Sequence, residues 1–455
     1  MSRVVLESLG CKLNQAEMET LAERLAERGH ELAGSIADAD VYVLNTCSVT
    51  HVADRKSRQA LRAARRARPG VRVVAAGCYA SRAPEELGQL GVVDAIVAGS
   101  EGDRLMQAIE AAPCPQPDGA PCPQPDGGAM HGPEGGAMHG PEGGGRVRTA
   151  CPDAGARRGR TRSLVKIQEG CTDLCSFCVV PHTRGPGRSR PSDDVVAEVR
   201  DRAARGYREV VLTGTKLGDY RGHGDGRSGL PGLVRRILDL TPVERLRLSS
   251  VQPADLVPDF LSLWQSDRLC PHLHLPLQSG SDSILVRMHR PYSRAGYRRA
   301  VERAREAIPD LSVTTDVLVG FPGETEAEFE EGRRFCDGMG FAGIHVFSYS
   351  RRPGTAAAAM PAQVPYETKR RRSDAMAALA RESGARFRAG FLGRTLPVLW
   401  EEAAADGLWT GYTANYLRVY ARGRGDIGGR ILAVRITEEY SDGVGGEIMN
   451  GGHHG

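Results

Sequence analysis

A chain of 455 residues is too long for one small domain and fits two or three. Its 40% hydrophobic and 25% charged residues are ordinary for a soluble globular protein, and no stretch approaches the apolar run that spans a bilayer. A formal net charge of +4 is too small to announce a nucleic-acid partner, and an odd count of eleven scattered cysteines argues against a disulfide framework and for metal binding or catalysis.

The start, Met1-Ser2-Arg3, runs directly into Val4-Val5-Leu6 with no small-residue cleavage site. It reads as lacking a signal peptide, so a cytoplasmic location with reduced thiols is expected. Apolar runs at 3–9, 41–45, 71–76 and 95–98 predict buried parallel strands. Helical patterns at 16–28, 53–67 and 103–112 lie between them, so residues 1–112 are read as an open parallel α/β domain. Residues 113–150 differ in kind. PCPQPDGA recurs as PCPQPDGG and AMHGPEGG is repeated, and such octapeptides bury no core. The segment is read as a disordered linker, and Cys114, Cys122, His131 and His139 as products of duplication rather than ligands.

From 151 to 389 strand and helix signals alternate again, with candidate strands at 164–168, 209–213, 246–249, 273–277, 313–319 and 343–348. Six such units predict a partial or full (β/α) barrel whose active residues sit at strand carboxyl ends. Residues 366–389 read as a helix with a basic start. From 390 to 455, short Val-, Tyr- and Trp-containing segments divided by glycine turns predict a small β-barrel. Arginine-rich runs at 55–72, 157–162, 184–190 and 369–372 each read alone as a solvated face. Several of them beside cysteine motifs favour a polyanionic partner. Trp409, Tyr412 and Tyr416, among Arg418, Arg422 and Arg424, read as a surface for splayed single-stranded bases, or equally as barrel core.

The strongest local signal is Cys171-Thr-Asp-Leu-Cys175-Ser-Phe-Cys178, just after a predicted strand. A structural zinc site would have to recruit a fourth ligand, such as His182. An iron–sulfur cubane on three thiolates would keep one iron open for a small molecule. A second set is dispersed: Cys11, Cys47 and Cys78 each follow a predicted parallel strand, in LESLGC, YVLNTC and VAAGC. Ligands gather outside the carboxyl ends of such strands, so the three are expected to converge. The plainer reading is three buried small apolar residues. Gly10 and Gly77 would permit close backbone approach. Cys270 and Cys336 lack partners and read as core.

The C-x3-C-x2-C spacing resembles the radical-SAM superfamily motif. With LGCKLNQAE (9–17), NTCSVTHVADRKSRQ (45–59), AAGCYA (75–80), IQEGCTDLCSFCVVP (167–181), RGPGRSR (184–190), HLPLQSGSD (274–282), TTDVLVGFPGETE (314–326) and a TRAM-like carboxyl-terminal barrel, the chain resembles the radical-SAM methylthiotransferases over nearly its whole length. That resemblance implies two 4Fe–4S clusters and S-adenosylmethionine. Cys171, Cys175 and Cys178 would hold the SAM-cleaving cluster. Cys11, Cys47 and Cys78 would hold the auxiliary cluster that takes part in sulfur delivery. One SAM supplies the methyl group and a second the 5′-deoxyadenosyl radical, because an unactivated aromatic C–H is not acidic enough for base catalysis. Gly214 in LTGT, Gly320 and Gly323 in VGFPGE, Gln278 after LHLPL, and Arg188 are the expected cofactor contacts, with Ser279, Arg184 and Arg190 beside them. Turn chemistry and surface ion pairs are the plainer readings for these positions.

GCKLN, VTHVADRKSRQ, LTGTKLGDY and RLRLSSVQP look most like the branch that methylthiolates C2 of N6-threonylcarbamoyladenosine beside the anticodon of tRNA. The alternatives are isopentenyl-adenosine as substrate, or a non-catalytic iron–sulfur or zinc protein serving RNA binding or electron transfer. Expected partners are the tRNA anticodon stem-loop and an electron donor such as a flavodoxin or ferredoxin, with no membrane.

Overall fold

The computed structural model describes residues 1–99, 102–111, 147–148, 161–222, 229–404 and 407–449. The octapeptide repeats, with Cys114, Cys122, His131 and His139, lie outside the described residues.

The first sheet carries β1 (Arg3–Ser8), β2 (Glu31–Leu32), β3 (Val41–Thr46), β4 (Arg72–Gly77) and β5 (Ala95–Ala98) in the order β2-β1-β3-β4-β5. These pairings are all parallel. β6 (Val147–Arg148), inside the segment read as linker, pairs antiparallel with β1. Helices α1 (Lys12–Glu27), α2 (His51–Ala67), α3 (Cys78–Arg82), α4 (Pro84–Gly88) and α5 (Gly102–Glu110) fill the crossovers. All six residues of β3 are buried, as expected for a central strand covered on both faces. α2 starts where the Thr50 side chain accepts from the Ala53 N–H, and it buries Ser57, Ala60, Leu61 and Ala64 at helical spacing. Ala60, Leu61 and Ala64 pack on Tyr42, Leu44, Val73 and Ala75.

A second set of parallel strands comprises β7 (Arg162–Lys166), β10 (Glu209–Thr213), β11 (Arg245–Leu248), β12 (His272–His274), β13 (Ser312–Val319) and β14 (Gly343–Ser348), with a small antiparallel pair, β8 (Gln168–Glu169) and β9 (Arg188–Ser189). The six parallel strands form two three-stranded sheets, β7-β10-β11 and β12-β13-β14. Single bridges, Leu246 to Leu269 and Ser250 to His274, join the sheets. Among the described residues no ladder links β7 to β14, so the barrel is partial. The crossovers carry α6 (Val180–Arg184), α7 (Ser192–Ala204), α8 (Leu230–Leu240), α9 (Pro258–Leu261), α10 (Asp282–Arg287), α11 (Arg294–Ala307), α12 (Glu326–Asp337) and α13 (Ala356–Ala359).

Alternation along these strands sorts the side chains. Val165, Leu212, Leu246, Leu273, Val317 and Ile344 join the core beneath the helices. The residues between them, Lys166, Thr213, Arg247, His274, Asp316 and His345, face the barrel interior. That interior is largely polar, with Leu164 and Val211 as an apolar patch on the same face. At its amino-terminal end Arg247, with no exposed surface, donates to both carboxylate oxygens of Glu209 at 2.6 and 3.1 Å.

α14 (Tyr366–Ala389) packs on β14 and leads into a closed barrel of β15 (Thr395–Ala403), β16 (Leu408–Thr413), β17 (Arg418–Arg422), β18 (Ile431–Tyr440) and β19 (Gly443–Ile448) in the order β15-β16-β17-β19-β18. This closed five-stranded barrel is consistent with a TRAM-like module. Trp400, Val398, Val419 and Val434 form its core. Here the base-stacking reading of the aromatics is corrected. Trp409 belongs to that core. Tyr412 and Tyr416 stack on each other at 5.0 Å, and Tyr416 packs on His272 at 5.0 Å and beneath Arg247 at 4.5 Å. Their faces are already occupied by protein, because this barrel plugs the polar floor of the neighbouring one.

Candidate functional site

Two cysteine trios are present, the first at the carboxyl ends of strands of the first parallel sheet and the second on the loop after β8. In the first, Cys11 caps α1 two residues beyond the end of the helix-preceding segment 3–9, Cys47 follows β3 directly, and Cys78 opens α3 after β4. β1, β3 and β4 are neighbours, so the three turns leave the same sheet edge side by side. Polar side chains tie those turns together. Asn14 Nδ2 donates to the carbonyls of Leu9 at 2.8 Å and Thr46 at 3.2 Å. Thr46 Oγ1 donates to the Ala76 carbonyl at 2.5 Å. Arg82 Nε donates to Ser48 Oγ at 2.6 Å, and Ser48 Oγ donates to Asp54 at 2.8 Å. Gly10, at φ +103°, lies against Cys47: a Cβ there would stand 2.7 Å from both Cβ and Sγ of that cysteine. Cys11 is exposed, while Cys47 and Cys78 are buried. Burial first, and then the neighbouring Cys78 and Cys11, push the Cys47 thiol up to about 12, so all three side chains share one electrostatic neighbourhood.

The second trio hangs on one loop after β8. Ser176 pins that loop to the carboxyl end of α10, its N–H donating to Met288 O at 3.1 Å and its Oγ to Arg287 O at 2.9 Å. Cys171 Sγ accepts from the Asp173 N–H at 3.4 Å. Cys175 Sγ accepts from Arg290 Nη1 at 3.3 Å. Arg290 also donates to Gln252 and lies over the Tyr292 ring. Lys216 Nζ reaches Asp173 at 2.8 Å and Asp219 at 3.2 Å. Burial, with Cys175 and Cys171 behind it, pushes the Cys178 thiol up to about 11. Three mutually repelling thiols beside a guanidinium suit a cationic centre that takes them as thiolates.

In neither trio do all three sulfurs lie within 4.8 Å of one another; among the described residues, His274, Asp316 and His345 meet that spacing. Sulfurs on one tetrahedral zinc, with bonds of about 2.3 Å, stand roughly 3.8 Å apart. His182 is exposed on α6 and is not gathered with the three cysteines.

The other expected contacts lie at strand carboxyl ends. Gly214 follows β10, with the Gln168 carbonyl 2.9 Å from where its Cβ would be. Gln278 follows β12, half-buried at φ +67°, its N–H donating to Asp316 O at 2.8 Å. Gly320 and Gly323 form the turn after β13, against Lys369 and Arg287 respectively. Arg188 is exposed and donates to Glu169 at 3.0 Å. Arg184 stands 3.9 Å from Glu169, and Arg190 donates to Glu198 at 2.6 Å. Asn14, Thr46, Lys216 and Arg290 escaped the sequence reading. The first two sit inside LGCKLN and LNTC, where adjacency to a cysteine was their available signal. Arg290 is far from the cysteine motif in the chain and had none.

Residues 3–99 match an uncharacterized protein family, UPF0004, and residues 165–336 match the Radical SAM superfamily. The threonylcarbamoyladenosine tRNA methylthiotransferase MtaB of Bacillus subtilis (strain 168) is 33% identical over 443 residues, covering 96% of this chain and 94% of that protein. The chain belongs to the radical-SAM methylthiotransferases. Among other methylthiotransferase relatives, the tRNA-2-methylthio-N(6)-dimethylallyladenosine synthase of Cereibacter sphaeroides (strain ATCC 17025 / ATH 2.4.3) is 34% identical over 451 residues, covering 98% of each chain. Identity alone therefore does not choose between the two kinds of methylthiotransferase. A solved radical S-adenosylmethionine methyltransferase, TsrM from Kitasatospora setae, superposes with a TM-score of 0.53 at 16% identity over 79% of this chain and 77% of that one. At that identity the likeness concerns fold.

Proposed function

We propose that this methylthiotransferase modifies C2 of N6-threonylcarbamoyladenosine beside the anticodon of tRNA, with one 4Fe–4S cluster on Cys11, Cys47 and Cys78 and a second on Cys171, Cys175 and Cys178. The observation that supports the proposal most is the delivery of Cys11, Cys47 and Cys78 by three neighbouring parallel strands to one end of their sheet, where the burial of Cys47 is felt together with Cys78 and Cys11. When bound, the clusters and S-adenosylmethionine supply the sulfur, the methyl group and the radical that an unactivated C–H requires. The protein's part is placement. Arg290 puts positive charge beside the second trio, which lowers the cost of gathering thiolates. Ser176 fixes the loop, and Gly214, Gln278, Gly320 and Gly323 line the strand ends where a cofactor would lie. An electron donor such as a flavodoxin or ferredoxin, and a cytoplasmic setting with tRNA, complete the reading.

The polar barrel interior supports threonylcarbamoyl over dimethylallyl as the adenosine substituent. A prenyl chain gains from apolar walls, whereas a ureido group and carboxylate need hydrogen-bonding partners. Lys166 and Thr213 supply such partners. Nucleosides from tRNA of a strain lacking the gene test the choice. The expected result is loss of 2-methylthio-N6-threonylcarbamoyladenosine alone, restored by the gene. Loss of the methylthio-isopentenyl nucleoside instead would move the enzyme to the other branch.

A further inference from the structure

Between the strands of the partial barrel stands a second kind of ligand set, separate from the cysteines. β12, β13 and β14 are adjacent and parallel, and they turn His274, Asp316 and His345 to the inside. Asp316 and His345 are direct register partners. His274 Nε2 stands 3.3 Å from Asp316 Oδ1, and His345 Nδ1 stands 3.5 Å from the same oxygen. The two imidazoles lie side by side with centroids 5.5 Å apart. All three candidate ligand atoms fall within 4.8 Å of one another.

Those separations are informative. A good N–H···O bond is about 2.9 Å, and both contacts are longer than its usual upper range of about 3.2 Å. Two nitrogen or oxygen ligands at about 2.0–2.1 Å from a tetrahedral ion stand roughly 3.3–3.4 Å apart. The two contacts are thus loose for hydrogen bonding, and both nitrogen–oxygen separations match those of ligands that share an ion. Its supporting layer is present as well. His274 Nδ1 contacts Thr314 Oγ1 at 3.0 Å, which fixes the ring and leaves Nε2 for the shared centre. Thr314 Oγ1 also contacts His272 Nε2 at 3.2 Å. The His274 side chain is 8% exposed and that of Asp316 24%, so water reaches the site from one side.

The geometry points to a divalent transition-metal site formed by His274, Asp316 and His345, with a coordination position open to the barrel interior. Two imidazoles and one carboxylate suit zinc or ferrous iron, and disfavour calcium or magnesium, which want oxygen ligands throughout. The inference rests on the strand geometry and stands whether or not the cysteine trios hold iron.

The test uses the full chain in two forms: protein whose cysteines have been filled by anaerobic iron–sulfur reconstitution, and a variant with Cys11, Cys47, Cys78, Cys171, Cys175 and Cys178 all changed to Ser. Each is equilibrated with zinc, desalted and assayed for metal. Cobalt is then substituted and its visible spectrum recorded. The expected result is one zinc per chain in both forms and, in the serine form, a cobalt spectrum with no sulfur-to-metal charge transfer. Asp316→Asn and His345→Gln each lose the ion, and Thr314→Val weakens binding by about tenfold. Cooperative unfolding establishes that each variant is folded. No zinc in either parent form, or zinc that survives both ligand substitutions, overturns the assignment. If the reconstituted form takes up no iron while the serine form still binds zinc, the cluster reading fails and the zinc site stands.

Discussion

Gly10→Ala probes how closely the first trio is packed. The residue sits at φ +103°, and its Cβ would lie 2.7 Å from both Cβ and Sγ of Cys47. Two costs follow. An L side chain in this backbone region carries about 1–2 kcal/mol of strain. Cys47 must also retreat by roughly 0.7 Å to reach ordinary van der Waals separation, and overpacking of this kind costs about 1–3 kcal/mol. The sum is about 2–5 kcal/mol, a large part of the 5–15 kcal/mol that typically holds a domain together. Gly206→Ala is the matched control. Gly206 has φ +90° but nothing within 4 Å of its Cβ, so it carries the backbone strain without the clash. Urea unfolding and iron content after reconstitution are the assays. Gly10→Ala is expected to unfold at clearly lower urea than Gly206→Ala and to lose iron from the first site, while still cleaving SAM. Equal stability and equal iron in the two variants would refute the packing argument.

Glu209→Gln leaves Arg247 buried without its counter-charge and is expected to cost about 3–5 kcal/mol by urea unfolding, partly recovered by adding Arg247→Met. Burial raises the Glu209 carboxyl, but Arg247, Arg162 and Arg245 together hold it below its ordinary value. Its stabilisation is therefore full above the unfolded carboxylate range and declines as pH falls through the lower folded value, and the variant should lose that part of the acid dependence. In iron-free protein the Cys178 thiol, pushed up to about 11, should alkylate on the order of a hundredfold more slowly at neutral pH than a free cysteine, as peptide mass spectrometry would show. Comparable rates would remove the argument from burial. Arg290→Met withdraws the donor to Cys175 Sγ and should make the second site's reduction potential more negative by redox-titrated EPR, with Arg290→Lys intermediate. An unchanged potential would deny Arg290 its electrostatic part.

Much of the architecture was legible because its strands are short apolar runs separated by helical periodicity. β3, β4, β5 and β10 fall where the apolar pattern puts them, and Cys11, Cys47 and Cys78 could be read as strand-end residues without coordinates. Boundaries moved for identifiable reasons. α1 begins at Lys12 rather than 16, because a polar first turn carrying Asn14 hides the periodicity. β12 stops at His274 where 273–277 was expected, because Pro276 cannot donate to a ladder. The polar interior was the least legible part. RLRL in β11 announces one polar face without saying that it points inward on Glu209. His274, Asp316 and His345 lie on three strands, and only their register brings them together. Tyr412 and Tyr416 misled because stacking on arginine inside a protein uses the same residue types as stacking on bases.

Iron counting after anaerobic reconstitution examines the central claim most directly. The full chain should hold about eight irons, and about four should remain when either Cys11, Cys47 and Cys78 or Cys171, Cys175 and Cys178 are changed together to alanine. Only the second set of changes should abolish 5′-deoxyadenosine formation from SAM. Four irons in the full chain, or a first-trio variant that keeps all of its iron, would contradict the account.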